Sequence, residues 1–393
     1  MIRISDEDKL ILEMCKKERD ISLISSLIKK ENFDWHDFFE NISRHSIAPF
    51  ILDRLLKYAF PESHKEILSV RAKEEILKIM ARRRIYQNEL KHIQLILQKS
   101  GIQSILMKGL AIDFAQSRTI GDMDLLVREE KLITAINRLR EIGYKYVGNI
   151  LNHNLKSREK NNIKLQMSWN NQFQLYNRKN NVLLELHTNL FERRRVYSVN
   201  LDTLLDNVDV FWKEKQKDEN LNCYVLSYEH SLLLMCLHNA LKRSPANETF
   251  ILKNIVDISS LIQHGIIWDR FMNTSTTLNI APLIYFSLLL TNKLLDTKIP
   301  KYVFNSLKNN CTRSQLFLTN VHFKSLKSPG VSSMFYSKLY RVLCPFIFGN
   351  SWKERIKWIF LFPIIFPPRW KMATYYNVKR NSPFIYFTYL INP

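Results

Sequence analysis

At 393 residues, with 46% hydrophobic and 24% charged side chains, the chain is long enough for two or three domains and a buried core, and wholesale disorder is excluded. Eight glycines are too few for a loop-rich all-β protein or a Gly-rich nucleotide-binding fold. A net charge of +21 directs the field toward anionic partners such as nucleotides, nucleic acid, acidic glycans or a membrane surface, unless the lysines only solvate the surface.

Residues 1 to about 100 read as helical. Asp6 is placed as the cap of a segment running to Lys17, and Ser22–Glu31 forms the next, with Leu23, Ile24, Leu27 and Ile28 on one side. Asp34 caps a third from Trp35, with Phe38, Phe39 and Ile42 as its stripe; a fourth follows Pro49. His64–Lys99 then spaces Ile76, Met80, Leu90, Ile93 and Leu97 as one apolar face, with Arg82-Arg83-Arg84 read as solvated or as a phosphate contact. Gly101 stops that helix. Ile102–Met107 is a short buried strand, and a helix is expected from Lys108, its amide-rich start favouring anions. Leu125–Val127 is the next strand, Glu129–Ile142 a helix ended by Gly143, and Ile163–His187 a hairpin turning at Asn177–Asn181. Helices follow at Tyr228–Lys242, capped by Ser227, at Phe250–His264 and at Ala281–Leu295, after which the periodicity blurs. The tail interleaves Trp352, Trp358, Trp370, Tyr375, Tyr376, Tyr386 and Tyr389 with Lys and Arg, which fits packing on the helical region or rest on a membrane surface.

Cys15, Cys223, Cys236, Cys311 and Cys344 are scattered, odd in number and without a CxxC pair, which fits thiols in a reducing compartment and neither disulfides nor zinc. The N-terminus MIRISDEDKL has acids where a signal peptide is apolar. The longest apolar run, Trp358–Phe366, is short and broken by Pro363. A cytoplasmic protein is expected.

The stretch Ile102–Val127 concentrates the chemistry. Asp122 and Asp124, two apart on an extended chain, leave one face with Cα atoms about 6.6 Å apart. Carboxylates so placed can divide a pair of Mg²⁺ ions, which take hard oxygen ligands and keep positions open for phosphate. The spacing alone is weak, because Asp6 and Asp8 repeat it; that second pair sits at a helix start, where acids complement the dipole. A third acid, Glu185, lies in the alternating strand VLLELH, where burial is costly without pairing or a metal. His187 shares its face, and either orients Glu185, touches substrate or is structural.

Gly109, the Asp122/Asp124 pair and Glu185 resemble the signature of the polymerase-β-like nucleotidyltransferases. More narrowly, the chain is similar to an uncharacterised bacterial nucleotidyltransferase family of that superfamily, through LMKGLAIDF, SRTIGDMDLLV, LLELHTNLF, LLLMCLHNALKR and ILKNIVDISSLI. One departure is Leu110, where the superfamily turn has Ser or Gly; a serine hydroxyl on the phosphates is missing, and Lys108 supplies a point charge instead. The resemblance implies an α+β fold: a small mixed β-sheet core over residues 101–215, an N-terminal helical region over 1–100 and a C-terminal helical region over 216–393. It also implies transfer of a nucleoside monophosphate from an NTP to a small-molecule, glycan or peptide acceptor. Asp122 and Asp124 would hold two Mg²⁺ ions, with Glu185 completing the shell and helping to deprotonate the acceptor. Lys108, Gly109 and Arg118 would meet the nucleotide phosphates. His238, at a family position, and Asp257, an acid in an apolar helix, are candidates for substrate contact or support, and Arg193-Arg194-Arg195 for drawing in an acidic acceptor. RNA as acceptor, and a non-catalytic binding protein of the same fold, are the alternatives. No RRM or KH signature favours RNA, and retention of three acids argues against loss of catalysis.

Overall fold

The computed structural model describes residues 5–58, 62–112, 120–147, 171–191, 203–241 and 252–327. Arg118, Arg193 to Arg195, residues 163–170 of the expected hairpin and the aromatic-basic tail lie outside the described residues.

Four short helices open the chain: α1 (Asp6–Cys15), α2 (Ile21–Ile28), α3 (Trp35–Arg44) and α4 (Ala48–Leu55). Each of the first three is capped by a side-chain oxygen that satisfies an otherwise orphaned amide. Ser5 caps α1, one residue before the expected Asp6, because its Oγ accepts from the Asp8 amide at 3.1 Å. Asp20 and Asp34 cap α2 and α3, and Pro49 in the first turn of α4 gives up no needed donor. The long helix α5 (Glu62–Lys99) ends where Gly101 turns left-handed at φ +67° and the Ile102 amide bonds back to the Leu97 carbonyl. Its Leu90, Ile93 and Leu97 are buried as expected, but Met80 is 54% exposed and belongs to no core.

A seven-stranded mixed sheet follows, built from β1 (Ser104–Leu106), β2 (Met123–Val127), β3 (Tyr144–Tyr146), β4 (Gln172–Asn177), β5 (Val182–His187), β6 (Gln216–Asp218) and β7 (Cys223–Val225) in the order β3-β4-β5-β2-β1-β7-β6. The pairs β2/β5 and β1/β7 are parallel and the rest antiparallel. Helix α6 (Leu132–Glu141) connects β2 to β3, and α7 (Thr203–Asp206) and α8 (Val208–Lys213) precede β6. Six helices complete the described chain: α9 (Tyr228–Leu241), α10 (Leu252–Gln263), α11 (Trp268–Thr277), α12 (Ala281–Leu295), α13 (Lys301–Asn309) and α14 (Arg313–Lys327). The helix expected from Lys108 is a single 3₁₀ turn over Gly109–Ile112 within the described residues, because the left-handed Gly109 and two successive apolar anchors tighten the chain there.

The period of two along each strand divides the sheet into two faces. Met123, Leu125, Val127, Phe173, Leu175, Leu184 and Leu186 face α5 and α6 and form one core with Leu90, Ile93, Leu132 and Leu139. On the opposite face Ile105, Met107 and Leu126 join a larger core shared by α1–α4 and by α9, α10 and α12. The N-terminal and C-terminal helical regions therefore pack on one another, and Lys16 pairs with Asp296 at 2.7 Å across that junction. Asp122 and Asp124 have the parity of Leu126, which puts them between the sheet and the helical regions. The protein is thus an α+β fold, a mixed sheet carrying its acids on the face opposite α5 and α6, toward α1–α4 and α9, α10 and α12. Among the described residues no helix is long and apolar enough to cross a membrane.

Candidate active site

The loop that enters β2 is held from outside by α5. The Tyr86 hydroxyl donates to the Gly121 carbonyl at 2.8 Å and accepts from the Leu183 amide at 3.4 Å, joining the start of β2 to β5. Arg82 donates from Nε to the Ile120 carbonyl at 2.8 Å, so the first arginine of the 82–84 run fixes this loop rather than solvating a face. On the inner side, the Met107 amide bonds to the Asp124 carbonyl, and Gly109 at φ +65° brings its Cα edge to the Asp122 carbonyl, 3.5 Å from where a Cβ would sit.

Parallel pairing of β2 with β5 places Asp124 directly beside Glu185. Asp124 is 2% exposed and Glu185 7%, so both carboxylates have left water and need partners. Asp124 Oδ1 accepts from Lys108 Nζ at 3.1 Å and faces His187 Nε2 at 2.9 Å. His187 Nε2 also lies 3.6 Å from Glu185 Oε2. Among the described residues the buried Nδ1 of His187 has no hydrogen-bond partner, and Nε2 faces the acids, so the proton of the neutral ring is assigned to Nε2. Glu185 is clamped from the hairpin partner strand: Gln174 donates to Oε1 at 2.7 Å and Gln172 donates to Oε2. The register Gln174↔Glu185 and Gln172↔His187 makes this clamp a consequence of the turn at Asn177–Asn181.

These contacts set the charge state. Burial alone would raise the Asp124 carboxyl, but the Lys108 ammonium and the His187 hydrogen bond outweigh it and hold it well below the usual carboxylate range. Burial likewise acts upward on Glu185, and its hydrogen bonds from His187 and Gln174 leave the net shift downward. Asp122 goes the other way: burial and the negative charges of Asp124 and Glu185 raise it, opposed by Lys108 and Lys253. His187 is pushed down by burial and, more strongly, up by its two carboxylate partners.

Ligand atoms of Asp124, Glu185 and His187 all lie within 4.8 Å of one another, close enough to share one ion. The expected trio was Asp122, Asp124 and Glu185. Asp122 feels both other charges but stands outside that innermost group, where His187 is found instead. The donor set fits a divalent cation. Burial, then the charges of Asp124 and Glu185, leave Asp122 raised, a burden that a bound cation would relieve. Lys108 pairs with Asp124, and Gly109 lies against the Asp122 carbonyl. His238 lies half-buried on α9 and Asp257 buried on α10, and neither is in the innermost group. The decoy acid Asp6 pairs with Lys9 and Lys30 at the surface, away from any such group.

Site residues without a place in the sequence analysis are Gln172, Gln174, Lys253 and Tyr86. The glutamines carried a signal: they alternate with Phe173 and Leu175, and counting back from the hairpin turn puts Gln174 opposite Glu185. Lys253 and Tyr86 carried none, since their helices are far from Asp122 in the chain, and Arg82 is a brace for the loop entering β2 instead of the solvated face or phosphate contact expected of its run. Burial pushes the thiols of Cys15, Cys223 and Cys311 up to about 12, which disfavours the reactive thiolate.

A protein family described as an uncharacterised nucleotidyltransferase matches residues 31–296. A search among curated proteins finds no match. The match takes in α3 through α12, including every residue of the site, and the chain belongs to this nucleotidyltransferase family. Membership implies nucleotidyl group transfer and a nucleotide substrate.

Proposed function

We propose that the protein moves a nucleoside monophosphate from an NTP to a hydroxyl or similar group of a small-molecule, glycan or peptide acceptor, releasing pyrophosphate. The observation that carries this reading is the side-by-side burial of Asp124 and Glu185, with Asp122 beside them, in a chain of a nucleotidyltransferase family. Asp122, Asp124 and Glu185 would hold Mg²⁺, two ions on this reading, with His187 at the edge of the same group. Bound there, the ions would polarise the α-phosphate and neutralise the charge that builds on the leaving pyrophosphate.

The chain's own residues then do the positioning. Lys108 offers a mobile point charge to the phosphates, and Lys253 is placed near Asp122 for the same service. The acceptor oxygen bonds to the α-phosphorus as the α–β P–O bond breaks. The electron pair leaves on pyrophosphate, and the acceptor's proton passes to a carboxylate oxygen of the cluster. Glu185, with both oxygens already accepting from glutamine amides, fits an orienting and charge-balancing role better than that of a free base. Catalysis of this kind is mostly placement and electrostatics in a site shielded from water.

The test is to incubate purified protein with each α-labelled NTP, Mg²⁺ or Mn²⁺ and a fractionated cell extract. Metal-dependent label on a discrete acceptor with matching pyrophosphate release is expected. Nucleotide binding without either product from any NTP would contradict the transfer reading.

A further inference from the structure

Asp124 is held by a cation that the chain itself provides. Lys108 Nζ lies 3.1 Å from Asp124 Oδ1, with 14% of its side chain exposed, so it reaches in from the rim and is not locked in the core. It stands just after β1, immediately before the left-handed Gly109, on a backbone tied to Asp124 through the neighbouring Met107 amide. Oδ1 takes both Lys108 and His187, and among the described residues no donor reaches Oδ2. A buried carboxylate cluster without a compensating charge is strongly destabilising, so the unloaded protein needs such a counter-charge. Lysine suits a temporary one: a compact ammonium on a flexible four-carbon stem, where arginine would lock into a bidentate pair.

We infer that Lys108 is a displaceable internal cation, which holds Asp124 in the unloaded site and passes to the nucleotide phosphates when the site takes up its divalent ion. This rests on the metal-and-nucleotide reading above and adds to it a coupling between the two ligands. In the unloaded protein Lys108 competes with the divalent ion for Asp124. Once phosphates are present Lys108 has a second anionic partner, so the competition falls and each ligand strengthens the other.

Calorimetric titration of the full-length chain with Mn²⁺, with and without a non-hydrolysable NTP analogue, tests this in wild type, Lys108→Met and Lys108→Arg. Lys108→Met keeps the length and loses the charge, and is expected to bind Mn²⁺ alone at least about tenfold more tightly, the scale of one lost charge repulsion at a few ångströms. The wild type should gain about 5- to 150-fold in Mn²⁺ affinity from the analogue, and Lys108→Met should lose most of that gain. Lys108→Arg, which retains the charge, should bind Mn²⁺ alone no more tightly than wild type and guards against a folding artefact. Unchanged or weaker Mn²⁺ binding by a folded Lys108→Met would overturn the displacement, and tighter binding with an undiminished nucleotide effect would overturn the passage to phosphate. No Mn²⁺ binding by the wild type, with or without the analogue, would instead remove the metal reading on which the inference stands.

Discussion

Asp124 and Glu185 are direct neighbours on parallel strands, two buried carboxylates whose backbones are tied together by the sheet. Neighbouring strands lie about 4.8 Å apart, so the backbones of the two acids stay adjacent as long as the register holds. Their mutual repulsion is contained by Lys108, His187, Gln172 and Gln174, and each of these is a place where the site can be tested.

The glutamine clamp is expected to matter for ion binding rather than for folding. Gln174→Leu removes the 2.7 Å bond to Glu185 Oε1 and leaves the strand pairing intact. Supporting partners of metal-binding groups typically contribute about 10- to 100-fold in affinity. Mn²⁺ titration of the variant should show a loss of that order with little change in melting temperature; unchanged affinity would assign the clamp to packing alone.

The Tyr86 hydroxyl ties α5 to the loop before Asp122 and to β5. Tyr86→Phe leaves the Gly121 carbonyl without its donor. A cost of about 1–3 kcal/mol in unfolding free energy is expected, as for other buried groups stripped of a partner. Chemical denaturation measures it, and the same variant should bind Mn²⁺ more weakly because Asp122 is no longer fixed. Wild-type stability in this variant would show that the loop holds itself.

A pH dependence is expected away from the acids. His230 on α9 is buried against Phe211, with Glu214 at 3.3 Å from Nε2 and Arg270 of α11 pairing with the same carboxylate at 2.8 Å. Burial, the largest influence, pushes His230 below its ordinary 6.5; Arg270 adds to this, and Glu214 and Glu229 oppose it. A depressed histidine resists protonation in the folded state. As pH falls below 6.5 the unfolded chain therefore takes up a proton that the folded chain refuses, and stability is lost on acidification. Melting curves between about pH 7.5 and about 5.5 should show a smaller loss for His230→Asn than for wild type. Equal slopes would mean that His230 does not carry the effect.

Helix boundaries and the acid-bearing strands were legible in the sequence because they rest on local signals. Asp34 before Trp35, Gly101 after Lys99 and the alternation around Glu185 each say where the backbone must turn or which face is buried. The three-residue strands β3, β6 and β7 were not legible. Their burial pattern gives no clear alternation, and they exist because longer neighbours offer them an edge. At the site, the pairing of Asp124 with Glu185 needed only the strands and a family resemblance. The entry of His187 into the innermost group, in place of Asp122, depends on side-chain reach across a diagonal of the sheet, which spacing along the chain does not encode.

In the proposed function, Asp122, Asp124 and Glu185 form one ion-dependent centre for nucleotidyl transfer. Its most direct measurement compares metal-dependent pyrophosphate release from labelled NTP by wild type, Asp122→Asn and Asp124→Asn in the presence of the active extract fraction, with folding checked by circular dichroism. Each folded variant is expected to lose at least about 10²-fold in rate, the scale of removing a main electrostatic stabiliser. Wild-type turnover by either folded variant would contradict the claim.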